Sequence, residues 1–237
     1  KEPRNRFKRG KITSERIVLP EGDAFFVVGV EKSFGKVPWK KLEKCLGILR
    51  QCVILPEGTT VPKDVDITAF NPNIFPRLLL MNSAADYIMK HKSEFVSRSL
   101  TVFDEQGIYT GYIENLLRCF SNIKIVTEKT EEYEKLSRHL METYGFSLVV
   151  TTKESYGSDA LISHSCNVPV LFKGTVFTNE KKHLMNTKAF SGEGVILPET
   201  YENLRPEFVG RVLFASALYE KCGEKSLGDI KYEYFGC

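Results

Sequence analysis

Ser99-Leu-Thr-Val-Phe-Asp104, followed by Glu-Gln-Gly107-Ile-Tyr-Thr-Gly111 and then by Ile123-Lys-Ile-Val-Thr-Glu128, is the stretch whose reading decides the fold. Two short apolar runs flank a helical pattern over Gly111 to Ser121. A second helical pattern, Thr130 to Tyr144, leads to a third run at Ser147–Thr151. Two more runs follow, Ala160–His164 and Val170–Phe177. Strands alternating with helices of ten to fifteen residues predict βαβ units and a parallel sheet. The fold class expected is therefore α/β, a doubly wound, mostly parallel sheet, whose binding crevice lies at the carboxyl ends of its strands.

Upstream, Arg77 to Lys92 reads as a helix with Leu78, Leu79, Met81, Ala85, Ile88 and Met89 on its apolar face. Ala24–Val30 reads as a buried strand, Trp39–Gln51 as a helix opened by Pro38, and Cys52–Leu55 as another strand. Together these predict an N-terminal βαβ unit. The tetrapeptide Val/Ile-Leu-Pro-Glu occurs at 18–21, 54–57 and 196–199, with Pro stopping a strand each time. Downstream, Asn179 to Gly194 is polar and predicts a long surface loop. Glu199 to Cys222 returns to helix with a break near Arg205-Pro206, and Ile230–Phe235 reads as an edge strand or a docked tail. The division expected is a basic tail over 1–16, an α/β unit over 17–95, and an α/β domain with a C-terminal helix over 96–237.

The chain has 237 residues, 42% hydrophobic and 27% charged, enough for a substantial core and close to ordinary soluble composition. Seven of the first sixteen residues are Lys or Arg against two Glu, so the tail carries +5 and the remainder −2. A tail of that kind reads as a solvated arm, and nucleic acid is not expected as a partner. No apolar run reaches the ~20 residues of a membrane-spanning helix. Six cysteines form no CxxC pair, which predicts buried free thiols in a reducing, cytoplasmic setting, with disulfides an open alternative.

The segment from Asp104 to Glu128 resembles the opening of a Rossmann-type NAD(P)-binding domain. The residues that carry the likeness are the strand ending at Asp104, Gly107 and Gly111 in the turn, and Glu128 closing the next strand. In that superfamily glycines admit a pyrophosphate to a helix N-terminus, and an acid ~20 residues on binds the adenosine ribose. The resemblance implies Asp104, Gly107, Gly111 and Glu128 as cofactor-binding positions and NAD(P) as the cofactor. The central glycine of G-x-G-x-x-G is absent, Ile108 and Tyr109 stand in the turn, and Asp104 and Glu105 place negative charge where phosphate would lie.

Ser163-His-Ser-Cys-Asn167 follows the fourth strand and reaches the same sheet edge. His164 is the candidate proton shuttle and Cys166 the candidate nucleophile; a satisfied turn histidine and a buried cysteine are the other reading. Lys173 either reaches into the crevice to hold an anion or points to solvent beside a bulge at Gly174. Phosphate-loop, nucleophile-elbow and HExxH motifs are absent, and no metal site is expected. Two functions follow as expectations. One is a small-ligand or nucleotide-binding protein, in its enzymatic form an oxidoreductase. The other is a sensor or assembly protein that uses the same scaffold for protein contacts, the C-terminal helix serving as a homo-oligomer face.

Overall fold

The computed structural model describes residues 11–32, 36–56, 58–95, 97–153, 157–164, 172–179, 187–190, 194–233 and 235–236. In chain order the elements are β1 (Ile12–Val18), β2 (Ala24–Val30), α1 (Trp39–Leu46), α2 (Ile74–Lys90), β3 (Ser99–Phe103), β4 (Asn122–Val126), α3 (Thr130–Tyr144) and β5 (Val149–Thr151). They continue with β6 (Ala160–Ser163), β7 (Thr175–Thr178), β8 (Thr187–Phe190), α4 (Glu199–Glu202), α5 (Arg211–Lys221) and β9 (Phe235–Gly236). Among the described residues no helix is long and apolar enough to cross a membrane. Contacts divide the chain into one unit of residues 1–72 with 198–224 and another of 73–197 with 225–237. This division differs from the expected one at both ends: α2 falls with the parallel sheet, and α5 falls with the N-terminal elements.

In the first unit β1 and β2 form an antiparallel hairpin, in register from Ile12 opposite Val30 to Val18 opposite Ala24. The expected basic tail therefore ends earlier than residue 16, since Thr13 to Arg16 are strand residues. The βαβ unit is also corrected. β2 pairs with its immediate neighbour in sequence, and Val53 makes only an isolated parallel bridge to Ala69. A tight antiparallel turn closes with few residues, whereas a parallel crossover needs a dozen or more. The helix over 39–51 is α-helical to Leu46 and 3-10 from Gly47 to Gln51. Phe25 of β2 meets Phe214 of α5 edge-on, with ring centroids 5.5 Å apart. The apolar face of α5 is thus engaged within its own unit.

The second unit holds a seven-stranded sheet in the order β5-β4-β3-β6-β7-β8-β9. The six strands β3 to β8 are mutually parallel, and β9 is antiparallel to β8. Counted along this sheet, the parallel strands run 3-2-1-4-5-6, the doubly wound order in which the chain reverses direction between its first and fourth strands. That reversal lies between β3 and β6. The helix over 130–144 matches and the expected strands overlap the observed ones, although the fifth, expected over 170–177, is found at Thr175–Thr178 with 170 and 171 outside the described residues. β8 lies inside the stretch read as a polar loop. Its pairing to β7 comes from backbone hydrogen bonds that carry no apolar signature.

Strand register fixes what each face carries. Val102, Ile125, Ile162 and Phe177 project to one face and are fully buried. Phe177 lies against Tyr87 of α2, with centroids 5.6 Å apart, so α2 covers this face. Leu161 and Val176 project to the other face and cluster with Phe172 and Phe103. The segment after β3 folds as a 3-10 helix, Thr110–Leu116, rather than the expected α-helix. Ile113 and Leu116 are its buried residues, and their spacing of three suits three residues per turn.

Candidate functional site

The carboxyl edge of the sheet begins one residue after the paired set Phe103, Val126 and Ser163. Side chains alternate along strands, so Asp104 keeps the facing of Val102, and His164 and Asn179 continue that of Ile162 and Phe177. All three therefore belong to the α2 side. The contacts agree with this parity. Asn179 Nδ2 donates to the Pro76 carbonyl at the start of α2 and lies 2.9 Å from His164 Nδ1. With the amide in this orientation Nδ1 accepts, and the neutral His164 ring carries its proton on Nε2.

Asp104 is completely buried. Its Oδ2 accepts from the Tyr109 amide at 2.7 Å and from the Tyr133 hydroxyl at 2.6 Å; its Oδ1 accepts from the Gln106 amide at 3.3 Å. The Thr127 hydroxyl donates to its carbonyl at 2.6 Å. Burial and then the Asp104 carboxylate push the Tyr133 phenol well above its ordinary range. In a dinucleotide site the amides at the start of the helix after the first strand face a pyrophosphate. Here the chain's own carboxylate takes two amides of the turn, those of Gln106 and Tyr109. Gly107 turns through φ +74°, and the Glu132 carboxylate lies 2.5 Å from where a β-carbon would stand. A second negative group thus lines the same turn. Glu128 is exposed just past the end of β4. Gly111 opens onto free space, with nothing within 4 Å of a built β-carbon.

Three residues that sequence reasoning missed stand around this edge. Tyr109 is fully buried, and its hydroxyl has no hydrogen-bond partner among the described residues. Burial drives its phenol above the ordinary range; the Arg77 charge pulls it down and Asp104 pushes it up. Arg77, in the first turns of α2, is half-buried, with an unpartnered and inaccessible Nε. The Asn179 Oδ1 is likewise buried without a partner. The Asn73 side chain donates to Gln106 Oε1 at 3.1 Å, which ties the start of α2 to the turn after β3. Parity carried past β7 is the signal that finds Asn179. Nothing in the local sequence marks Arg77 or Tyr109, because their meeting depends on where α2 lands.

Of the remaining candidates, Cys166 lies outside the described residues. Lys173 precedes β7 and so stands at the amino edge, opposite the crevice, which removes it as an anion holder there. Gly174 beside it is a close approach: a β-carbon would come within 2.5 Å of the Asp159 carbonyl and 2.7 Å of the Ser158 carbonyl. Cys45, Cys52, Cys119 and Cys222 are free, but the first two are exposed and the others half-buried, which corrects the expectation of buried thiols. Cys45 is exposed because α1 buries only Leu42. Among the described residues no group of three His, Cys, Asp or Glu is arranged to hold a metal.

A cavity of about 670 Å³ lies elsewhere in this unit, between the middle of α2, the 3-10 helix and the end of α3. Two of its carboxylates are met: Asp86 pairs with Lys90 and Lys231, and Glu114 accepts from the Tyr144 hydroxyl. None of the candidate site residues named from the sequence lines it.

No family model matches the chain, and no curated protein matches it. Among solved structures it is similar to the Δ(1)-pyrroline-2-carboxylate reductase of Thermococcus litoralis in complex with NADH and L-proline. Identity is 11%, the TM-score is 0.27, and the match covers 65% of this chain. The chain spans about half, 51%, of that structure's length.

Proposed function

We propose that this chain is a small-ligand-binding protein of Rossmann-like architecture whose ligand sits at the carboxyl edge between β3 and β6. The observation that carries the reading is the set of polar atoms left over there: Tyr109 Oη, Arg77 Nε and Asn179 Oδ1 are buried without partners among the described residues. Leaving a buried donor or acceptor unmet costs about 1–3 kcal/mol each, and such groups concentrate where a ligand completes them. In doubly wound sheets, ligands bind at this same edge, where the strand order reverses. His164, held by Asn179, stands at this edge and is the candidate for proton transfer.

This reading places the ligand beside, and not on, the turn from Asp104 to Gly111. A dinucleotide there would bring its pyrophosphate against the Asp104 and Glu132 carboxylates, while two amides of the turn, Gln106 and Tyr109, are already engaged. An NAD(P)-dependent oxidoreductase would require that turn to open.

Thermal-shift measurements test the reading. The panel comprises NAD, NADP, FAD, ATP and S-adenosylmethionine beside small carboxylates, sugars, amides and phosphate. The expected result is that at least one small polar molecule raises Tm through binding free energy, and that Asn179→Ala reduces the shift. A shift with a dinucleotide that Glu128→Ala abolishes would instead restore the turn as a cofactor site. Silence across the panel would reject ligand binding and turn attention to assembly.

A further inference from the structure

Resting on that site, the unmatched atoms also specify a chemical class. Arg77 Nε and Tyr109 Oη are donors, and Asn179 Oδ1 is an acceptor. Arg77 forms no ion pair with a described residue, and a half-buried guanidinium without a counter-charge calls for an anion. Asp104 makes no ion pair with Arg77; its oxygens accept from the Tyr109 and Gln106 amides and the Tyr133 hydroxyl. Tyr109 connects the two neighbourhoods, its amide on Asp104 and its phenol under the influence of the Arg77 charge. Asn179 is fixed at the start of α2 by its bond to the Pro76 carbonyl, one residue before Arg77.

We infer that the ligand is a small carboxylate bearing its own hydroxyl or amino group beside the charge. Its anionic end would lie on Arg77 Nε and the Tyr109 hydroxyl, and its donor on Asn179 Oδ1. Two donors without an acceptor would suit any anion, and an acceptor alone would suit a neutral amide or sugar. The combination selects the hydroxy or amino acid class, because a plain carboxylate leaves Asn179 unmet and a neutral analogue leaves Arg77 unmet.

Isothermal titration calorimetry on the whole chain tests this with lactate, propionate, lactamide and inorganic phosphate. Lactate is expected to bind at least about tenfold more tightly than propionate, which lacks the donor, and than lactamide, which lacks the charge. Arg77→Gln should lose about tenfold for lactate and Arg77→Lys less. Asn179→Ala should equalise lactate and propionate without weakening propionate. Circular dichroism and Tm establish that each variant is folded. Lactamide binding as well as lactate would overturn the anion assignment while leaving the site itself standing. The anion assignment also falls if only neutral molecules of the thermal-shift panel bind and lose binding in Asn179→Ala. Phosphate binding ahead of lactate with no effect of Asn179→Ala would overturn the proposed class too, because the acceptor would then be idle.

Discussion

The Tyr133 hydroxyl on α3 donates to Asp104 Oδ2 across 2.6 Å, and this one bond joins the end of β3 to the helix that follows β4. It also places a fully buried carboxylate where phosphate-binding domains of this architecture leave room for a ligand. The bond is the point at which sheet geometry, turn conformation and ligand choice meet.

Removing either partner leaves the other unmet in a dry environment. Tyr133→Phe is expected to cost about 1.5–3 kcal/mol, as for hydrogen bonds to charged groups, and Asp104→Ala more, since three donors lose their acceptor. Urea unfolding should place the double variant well short of the sum of the two singles, because both report on one bond. Additive losses would show that the two side chains act separately.

Tyr109→Phe should behave in the opposite way. Its hydroxyl is buried without a partner, so deleting it is expected to leave stability unchanged or to raise it by up to about 1 kcal/mol, read as the urea midpoint. A loss of more than about 1 kcal/mol would mean that the phenol is spoken for within the protein and is not waiting for a ligand.

Two glycines answer to different constraints. Gly107→Ala meets a left-handed backbone and the flexible end of Glu132, so it should cost about 1–2 kcal/mol. Gly174→Ala drives a β-carbon into two carbonyl oxygens that belong to the backbone, and it should cost more than Gly107→Ala in the same unfolding assay. The reverse order would contradict the packing described around β7.

Acid stability of the first unit has a specific source. Hydrogen bonds and charge from Arg205 and Arg211 hold the Glu202 carboxyl below its ordinary value, against a smaller opposing effect of burial. The unfolded chain then binds more protons than the folded one between the two pKa values. The contribution is complete above the unfolded value of about 4.3 and disappears as pH falls through the folded value. Glu202→Gln should flatten the fall of Tm below about pH 4.3 and leave the neutral region with a constant offset. An unchanged acid limb would contradict the Arg205–Glu202–Arg211 contact.

Much of the second unit was legible because its strands are buried on both faces and read as apolar runs, as at Leu100–Phe103 and Ala160–Ile162. α3 was legible to the residue because Thr130 to Tyr144 has a clear polar face and ends at a glycine. The hairpin of β1 and β2 was hidden by composition: Thr13 to Arg16 are polar and exposed, so one strand of the pair carries almost no periodic signal. The site was half legible. Asp104, Glu128 and His164 fall at the carboxyl edge as the strand pattern implies, but the engagement of Asp104 depends on Tyr133, twenty-nine residues on. Asn179 meets the Pro76 carbonyl at the start of α2, next to Arg77, through a packing contact that no local pattern encodes.

The most direct measurement is the side-chain ¹H–¹⁵N resonance of Arg77 Nε, assigned as the signal missing from Arg77→Lys, followed during titrations with lactate and with NAD. A saturable shift with lactate, needing higher concentrations in Tyr109→Phe and in Asn179→Ala and not produced by NAD, is the predicted result. An Arg77 signal that ignores lactate, or that moves with NAD in step with the amides of Gly107 and Gly111, would contradict a closed Asp104 turn and an anion site beside it.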